Sequence, residues 1–125
     1  FADVDRDTLC IDPDCVEAAV TPRTRAIIGV DYAGRPADLA RLRDLSTRHG
    51  LLLAEDAAHA LGSTYRGQPV GSISDLTTFS LHPVKHVTTG EGGIVTTESA
   101  ELAARLKLFR SHGITSDHRQ REAAG

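Results

Sequence analysis

Short runs that are apolar at nearly every position alternate along this chain with stretches in which apolar residues recur every third or fourth position. The first pattern predicts strands buried on both faces, and the second predicts amphipathic helices. We expect strands at residues 1–5, 26–30, 51–54, 76–81 and 94–97 and helices at residues 12–20, 37–49 and 100–111, with a short helix after residue 56. This alternation predicts an α/β fold, a mostly parallel sheet with helices on both faces.

The last two predicted strands lie close together in the sequence. A parallel return needs a crossover of a dozen or more residues, usually a helix, and none is predicted between them. We therefore expect one of these strands to run antiparallel.

Composition excludes several classes of protein. With a formal net charge of −3 and 4% aromatic residues, the chain lacks the basic character of a nucleic-acid-binding module. Its apolar runs are shorter than the ~20 residues that span a bilayer, so no membrane association is expected. Cys10 and Cys15 form neither a disulfide framework nor a zinc motif, which favours a reducing, cytoplasmic location.

The chain has no methionine and begins at Phe1. We therefore expect it to be an internal piece of a longer protein, inactive when isolated.

Ligands of parallel α/β sheets bind beyond the carboxyl ends of the strands. In this sequence that rule selects Asp31, Asp56 and the segment after Ser80. Asp56 follows an apolar strand, where a carboxylate is desolvated unless it has a partner. It is either the N-cap of the following segment or a counter-ion for a ligand or metal.

Lys85 is a second candidate. The chain has 14 lysine and arginine residues, of which only Lys85 and Lys107 are lysines. An arginine cannot act as a nucleophilic amine, because its guanidinium does not deprotonate in proteins. Lys107 falls on the polar face of a predicted helix, whereas Lys85 falls in a loop, where an amine can reach a ligand.

The histidines near Lys85 do not predict a metal site. Pro83 separates His82 from His86 and prevents a helix that would align them, and His59 lies elsewhere in the sequence. The glycine-rich segment at residues 90–93 precedes a strand, so it is neither a Walker loop nor a dinucleotide fingerprint.

Four segments in order carry a family resemblance: EDAAHALG at residues 55–62, FSLHPVK at 79–85, TTGEGG at 88–93 and FRSHG at 109–113. Together they resemble the StrS/DegT family of sugar aminotransferases, which use pyridoxal 5'-phosphate (PLP) and have fold type I. The resemblance covers essentially the whole chain. It implies that residues 1–125 are part of the large, cofactor-binding domain, with the N-terminal segment and the C-terminal small domain absent, and that the enzyme is a homodimer with shared active sites.

The resemblance also implies a role for four residues. Lys85 matches the lysine that forms an imine with PLP, and Asp56 matches the aspartate that pairs with the ring nitrogen. Ser80 matches the serine that hydrogen-bonds the phosphate. His59 stands where most of the family has a glutamine beside the PLP 3-oxygen, a departure that the branch described next shares.

Two further segments, VDYAG at residues 30–34 and DHRQRE at 117–122, are similar to the branch of the family that acts in pseudaminic acid synthesis. That similarity implies L-glutamate as the amino donor and a UDP-linked 4-keto-6-deoxy-N-acetylhexosamine as the acceptor, aminated at C4.

Other functions compatible with the pattern are an aminotransferase for another nucleotide-ketosugar and a non-catalytic regulatory homologue. Sugar dehydratases of the family carry histidine in place of the lysine, so Lys85 argues against them. A phospho-acceptor receiver domain needs its acidic pair on the first strand, whereas Glu55 and Asp56 follow two earlier strands.

Overall fold

The computed structural model describes residues 1–115 and Arg119, which form one main sheet, one small hairpin and three α-helices. The strands are β1 (Ala26–Val30), β2 (Leu52–Asp56), β3 (Thr64–Tyr65), β4 (Gln68–Pro69), β5 (Leu76–Ser80) and β6 (Gly93–Thr96). The helices are α1 (Pro13–Ala19), α2 (Leu39–His49) and α3 (Ala100–Arg110).

The main sheet has the strand order β1-β2-β5-β6. The strand expected at residues 1–5 is absent, because this segment makes only an isolated bridge between Val4 and Ile11. The first three strands are parallel, and β6 pairs antiparallel with β5. Both the mostly parallel sheet and the antiparallel strand are therefore confirmed. The parallel register brings the carboxyl ends of β1, β2 and β5 to one edge, where Asp56 lies opposite both Val30 and Thr78.

The helices begin at residues that supply side-chain caps. Asp12 accepts a hydrogen bond from the backbone of the first turn of α1, and Pro13 follows it at the first helical position. Helix α2 begins at Leu39, two residues later than predicted, because Asp38 provides the cap. It ends at Gly50, whose φ of 63° is left-handed, the conformation that glycine adopts most readily.

The main core lies between α2 and one face of the sheet. Leu39, Leu42 and Leu45 of α2 pack with Ile27 of β1 and Leu53 of β2. Because strand side chains alternate, the strand residues next to Ile27 and Leu53 lie on the opposite face of the sheet.

On that opposite face, Ile28 and Val30 are 63% and 46% exposed. The two faces of the sheet therefore differ: α2 covers one of them at β1 and β2, and the other is open in the described part of the chain.

The expectation of a short helix after Asp56 is wrong. Residues 57–63 form successive turns, in which Ala60 N–H donates to Ala57 O and Ser63 N–H donates to Ala60 O. The chain then enters the β3–β4 hairpin, which the sequence did not predict because each strand has only two residues. Gly62, Gly67 and Gly71 all have positive φ, so the segment turns where a helix would need negative φ.

None of the helices in the described residues is both long and apolar enough to cross a membrane.

Candidate active site

The open face of the sheet carries two of the sequence-predicted site residues. Asp56 is the last residue of β2, and Ser80 is the last residue of β5. Because Asp56 pairs with Thr78, and strand side chains alternate, Ser80 lies on the same face as Asp56. Both side chains are half-buried. A carboxylate and a hydroxyl therefore face the same side of the sheet at its carboxyl edge.

The Asp56 carboxylate caps the turn that follows β2. Its Oδ1 accepts the Ala58 backbone N–H at 3.1 Å. Asp56 therefore has the expected capping role, although it caps a turn and not a helix. The other carboxylate oxygen is left available for a ligand.

Lys85 lies in the loop between β5 and β6. The loop is closed at its base, where Leu81 N–H donates to Gly92 O at 2.9 Å. Within the loop, Lys85 N–H donates to His82 O, also at 2.9 Å. The Nε2 of His86 lies 2.9 Å from Leu61 O, which ties the loop to the segment after β2. These contacts fix the backbone from which the Lys85 amine projects.

A cavity of about 350 Å³ brings Lys85 and His59 together. Its lining residues are Tyr32, Ala33, His59, Val84, Lys85 and His86. The volume lies within the range of roughly 300–1,000 Å³ typical of small-molecule sites. Asp56 and Ser80 do not line it, so the structure divides the four predicted residues between a cavity and the adjoining open sheet face.

The turn after β1 forms one wall of this cavity. Residues Tyr32–Gly34 make one 3₁₀ turn, and Gly34 has a φ of +86°. A Cβ at Gly34 would lie 2.9 Å from the backbone oxygen of His59. Ser63 Oγ–H donates to Gly34 O at 2.9 Å across the same contact. Gly34 therefore sets the separation between the walls that carry Tyr32 and His59.

Replacing Gly34 with alanine is expected to destabilise the complete protein and displace the cavity walls. The left-handed φ costs about 1–2 kcal/mol for a residue with a Cβ, and the clash with His59 O adds to it. Gly62→Ala is the matched control, because its φ is +88° and nothing lies within 4 Å of the added Cβ. Urea unfolding should show a clearly larger loss for Gly34→Ala. Equal losses would mean that the close contact with His59 has no energetic weight.

Asp31 does not line the cavity. It is only 1% exposed, and its Oδ1 accepts the Ala37 N–H at 3.0 Å on the face covered by α2. The expectation that Asp31 meets a ligand is therefore wrong, because the chain turns inward after Val30. Burial, reinforced by the neighbouring Glu55 and Asp56, raises the pKa of Asp31 to about 7.

Glu55 is a residue that sequence reasoning did not single out. It precedes Asp56 in β2 and is also 1% exposed. The alternation of the strand sends Glu55 to the covered face and Asp56 to the open face. The available sequence signal was a charged residue inside an apolar strand.

In residues 1–115 and Arg119, no group of three or more His, Cys, Asp or Glu side chains could hold a metal ion. The DHRQRE segment at residues 117–122 lies outside the described residues except for Arg119.

With this geometry established, comparison with known families gives a match over residues 1–125 to the DegT/DnrJ/EryC1/StrS aminotransferase family. The chain belongs to this family. Aminotransferases of the DegT/DnrJ/EryC1/StrS family use pyridoxal phosphate.

Several solved structures share the fold. DesI, determined in the presence of its TDP-sugar product, is 49% identical with a TM-score of 0.89, covering 93% of this chain and 30% of DesI. Helicobacter pylori PseC, an aminotransferase involved in pseudoaminic acid biosynthesis, is 38% identical with a TM-score of 0.87, covering 93% and 32%. The sugar aminotransferase CalS13 from Micromonospora echinospora is 40% identical with a TM-score of 0.88, covering 92% and 33%. The chain thus spans about a third of each relative.

The residues at this site fit the chemistry of pyridoxal phosphate. Lys85 provides an amine for the aldehyde, and it projects beside a cavity of suitable size. Asp56 offers a half-buried carboxylate, which is the kind of group that pairs with a protonated ring nitrogen, and Ser80 offers a hydroxyl on the same sheet face, which is the kind of group that donates to a phosphate. An α/β sheet with its donors at the carboxyl edge is also where such a ligand is expected.

Proposed function

We propose that the complete protein is a PLP-dependent aminotransferase that moves an amino group from L-glutamate to a nucleotide-linked ketosugar. The observation that carries the proposal is the position of Lys85. Lys85 lines the same cavity as His59, and Asp56 and Ser80 share one face of the sheet at its carboxyl edge. Family membership supports the reaction class.

In this proposal each residue has a defined task. When bound, pyridoxal phosphate supplies an electron sink that stabilises negative charge at the amino-bearing carbon of the substrate. The Lys85 amine would hold the cofactor in place, and as a free base it would take the proton from that carbon and later return one. The Asp56 carboxylate keeps the ring nitrogen protonated by accepting its hydrogen bond.

Ser80 and His59 orient the group rather than react with it. The Ser80 hydroxyl donates to a phosphate oxygen, and the His59 ring contacts the 3-oxygen of the pyridine ring. The contact between His86 and Leu61 supports this arrangement, because it ties the Lys85 loop to the segment that carries His59.

We also propose that a second subunit completes the site. Val84 and Val87, on either side of Lys85, are 78% and 51% exposed. Large apolar side chains grouped at a functional site are usually covered by a partner surface. A homodimer with shared active sites would supply that cover.

The acceptor that the sequence favours is a UDP-linked 4-keto-6-deoxy-N-acetylhexosamine. Support comes from the Asp31–Gly34 segment, whose Tyr32 and Ala33 line the cavity and are available to contact a sugar.

A TDP-linked ketosugar is a second candidate. DesI, whose structure was determined in the presence of its TDP-sugar product, is 49% identical to this chain, against 38% for PseC. The two acceptors differ in the base of the linked nucleotide.

A panel of nucleotide-ketosugars distinguishes these candidates. The complete protein, loaded with PLP and supplied with L-glutamate, is expected to prefer the UDP-linked 4-ketosugar by at least tenfold in kcat/KM, on the order of 1.4 kcal/mol in transition-state binding. Formation of 2-oxoglutarate and of the aminosugar would be followed by mass spectrometry. Preference for the TDP-linked acceptor would assign the second candidate, and no turnover with any ketosugar would contradict the aminotransferase proposal itself.

A further inference from the structure

Two buried carboxyl groups lie behind the site, on the face of the sheet that α2 covers. Asp31 Oδ1 accepts the Ala37 N–H, and Glu55 Oε2 accepts the Thr77 hydroxyl, both at 3.0 Å. The remaining oxygens, Asp31 Oδ2 and Glu55 Oε1, are buried and receive no hydrogen bond in the described part of the chain. Each side chain therefore has one satisfied oxygen and one without a donor.

The two side chains lie on the same face of the sheet where the paired strands β1 and β2 end, because Glu55 is in β2 and Asp31 follows β1 directly. Two ionised carboxylates that neighbour each other in a buried site would repel strongly. No ion pair in the described residues joins either of them to a cation. A proton between them is the simplest group that satisfies both oxygens, because a protonated carboxyl is a donor.

The other groups that face the pair offer no alternative counter-charge. Strand β5 contributes the neutral Thr77. Asp56 of β2 faces the opposite side of the sheet, and its negative charge also favours a proton on Asp31. From α2, Leu42 approaches β1 at Gly29. The surroundings are therefore apolar or acidic, and they favour retention of a proton.

We propose that Asp31 and Glu55 share one proton, with Asp31 Oδ2–H donating to Glu55 Oε1, and that this hydrogen bond holds Asp56 in position. The connection to Asp56 is direct along the backbone. Asp56 follows Glu55 in β2, and its carbonyl oxygen accepts the Asp31 N–H at 2.9 Å. The pair thus fixes the carboxyl ends of β1 and β2 together, from the face opposite the Asp56 side chain. Asp31 and Glu55 are positioning residues for Asp56.

The shared proton makes stability depend on pH. Because the pKa of Asp31 is about 7 in the folded protein and lower when unfolded, the folded state holds the proton more tightly. The stabilisation is complete below the unfolded pKa and is lost as the pH rises to about 7. This contribution lowers the folding equilibrium constant by roughly 50- to 100-fold between about pH 5 and about pH 8.

The test compares urea unfolding of the complete protein, without cofactor, across that pH range for wild type and Asp31→Asn. The asparagine amide can donate to Glu55 Oε1 without titrating, so the variant should lose most of the decline between about pH 5 and about pH 8. Asp7→Asn is the control at an exposed aspartate and should keep the wild-type profile. Identical pH profiles for wild type and Asp31→Asn would overturn the proposal.

A second measurement applies even if Asp31→Asn does not fold. In infrared difference spectra of the wild type, the band of a protonated, buried carboxyl should disappear between about pH 5 and about pH 8. Glu55→Gln should shift or remove that band. Absence of such a band in the wild type would contradict the shared proton.

The consequence for Asp56 rests on the proposed function. The absorbance of bound PLP should change with pH along the same curve as stability in the wild type, but not in Asp31→Asn. A stability effect without PLP binding would reject the cofactor assignment and keep the proton pair. PLP binding without any pH difference between the two proteins would reject the proton pair and keep the cofactor assignment.

Discussion

Replacing Lys85 with arginine in the complete protein is expected to abolish transamination and the covalent attachment of the cofactor. Arginine preserves the positive charge at the cavity but cannot deprotonate, so it can neither attack an aldehyde nor carry the proton between carbon atoms. The expected loss of activity is at least roughly a thousandfold, because bond formation and proton transfer are removed together. Borohydride reduction of the wild type should attach PLP permanently to the peptide that contains Lys85.

Lys107→Arg is the matched control for this experiment. Lys107 is the other lysine of the chain and is exposed on α3. The same substitution there should leave both activity and labelling unchanged. Recovery of reduced PLP on Lys107, or activity of Lys85→Arg within tenfold of wild type, would show that Lys85 does not hold the cofactor.

The backbone framework was largely predictable because its signals are local. Apolar runs identified the four strands of the main sheet, and side-chain caps placed the ends of the helices within about two residues. The short spacing before β6 predicted its antiparallel direction correctly. These features depend on period, capping residues and connection length, all of which are present in the sequence.

The side to which each polar residue points was harder to predict. Asp31 and Asp56 both follow apolar strands, so the carboxyl-end rule treated them alike. In the structure Asp31 is 1% exposed beneath α2, whereas Asp56 lies on the open face. The difference arises because the chain turns inward after Val30 and the Asp31 carboxylate accepts the Ala37 N–H. These features depend on the tertiary structure.

The cavity also depends on tertiary contacts. His59, Tyr32 and Lys85 come from three separate segments, and the structure brings them together through the Gly34 turn and the contact between His86 and Leu61. Sequence resemblance named His59 and Lys85 individually. The place of Tyr32 in the same wall became evident only from the fold.

The division of labour within β2 follows from the two-residue period of a strand. Glu55 and Asp56 are adjacent acids, yet one joins a buried proton-sharing pair and the other faces the candidate cofactor site. A residue inserted or deleted in β2 would exchange these faces and place the wrong carboxylate at the site. The strand register is therefore as important to the site as the identity of the acids.

Replacing Asp56 with asparagine should give a protein that binds PLP but transfers amino groups slowly. Asparagine keeps an oxygen to accept the Ala58 N–H, so the turn after β2 should persist. It removes the negative charge that would keep the ring nitrogen protonated. Losing one partner of a buried charge pair costs on the order of 3–5 kcal/mol. A comparable loss in the transition state slows the reaction by roughly 100- to 5,000-fold.

Asp38→Asn provides the matched control for Asp56→Asn. Asp38 is also half-buried and also accepts a backbone N–H, from Arg41 at 3.3 Å, but it caps α2 away from the cavity. Its substitution should lower the urea midpoint while kcat stays close to wild type. For Asp56→Asn the pattern should be reversed, with a small change in stability, a large fall in kcat and an altered absorption spectrum of bound PLP. An Asp56→Asn enzyme within threefold of wild type would place the ring nitrogen elsewhere.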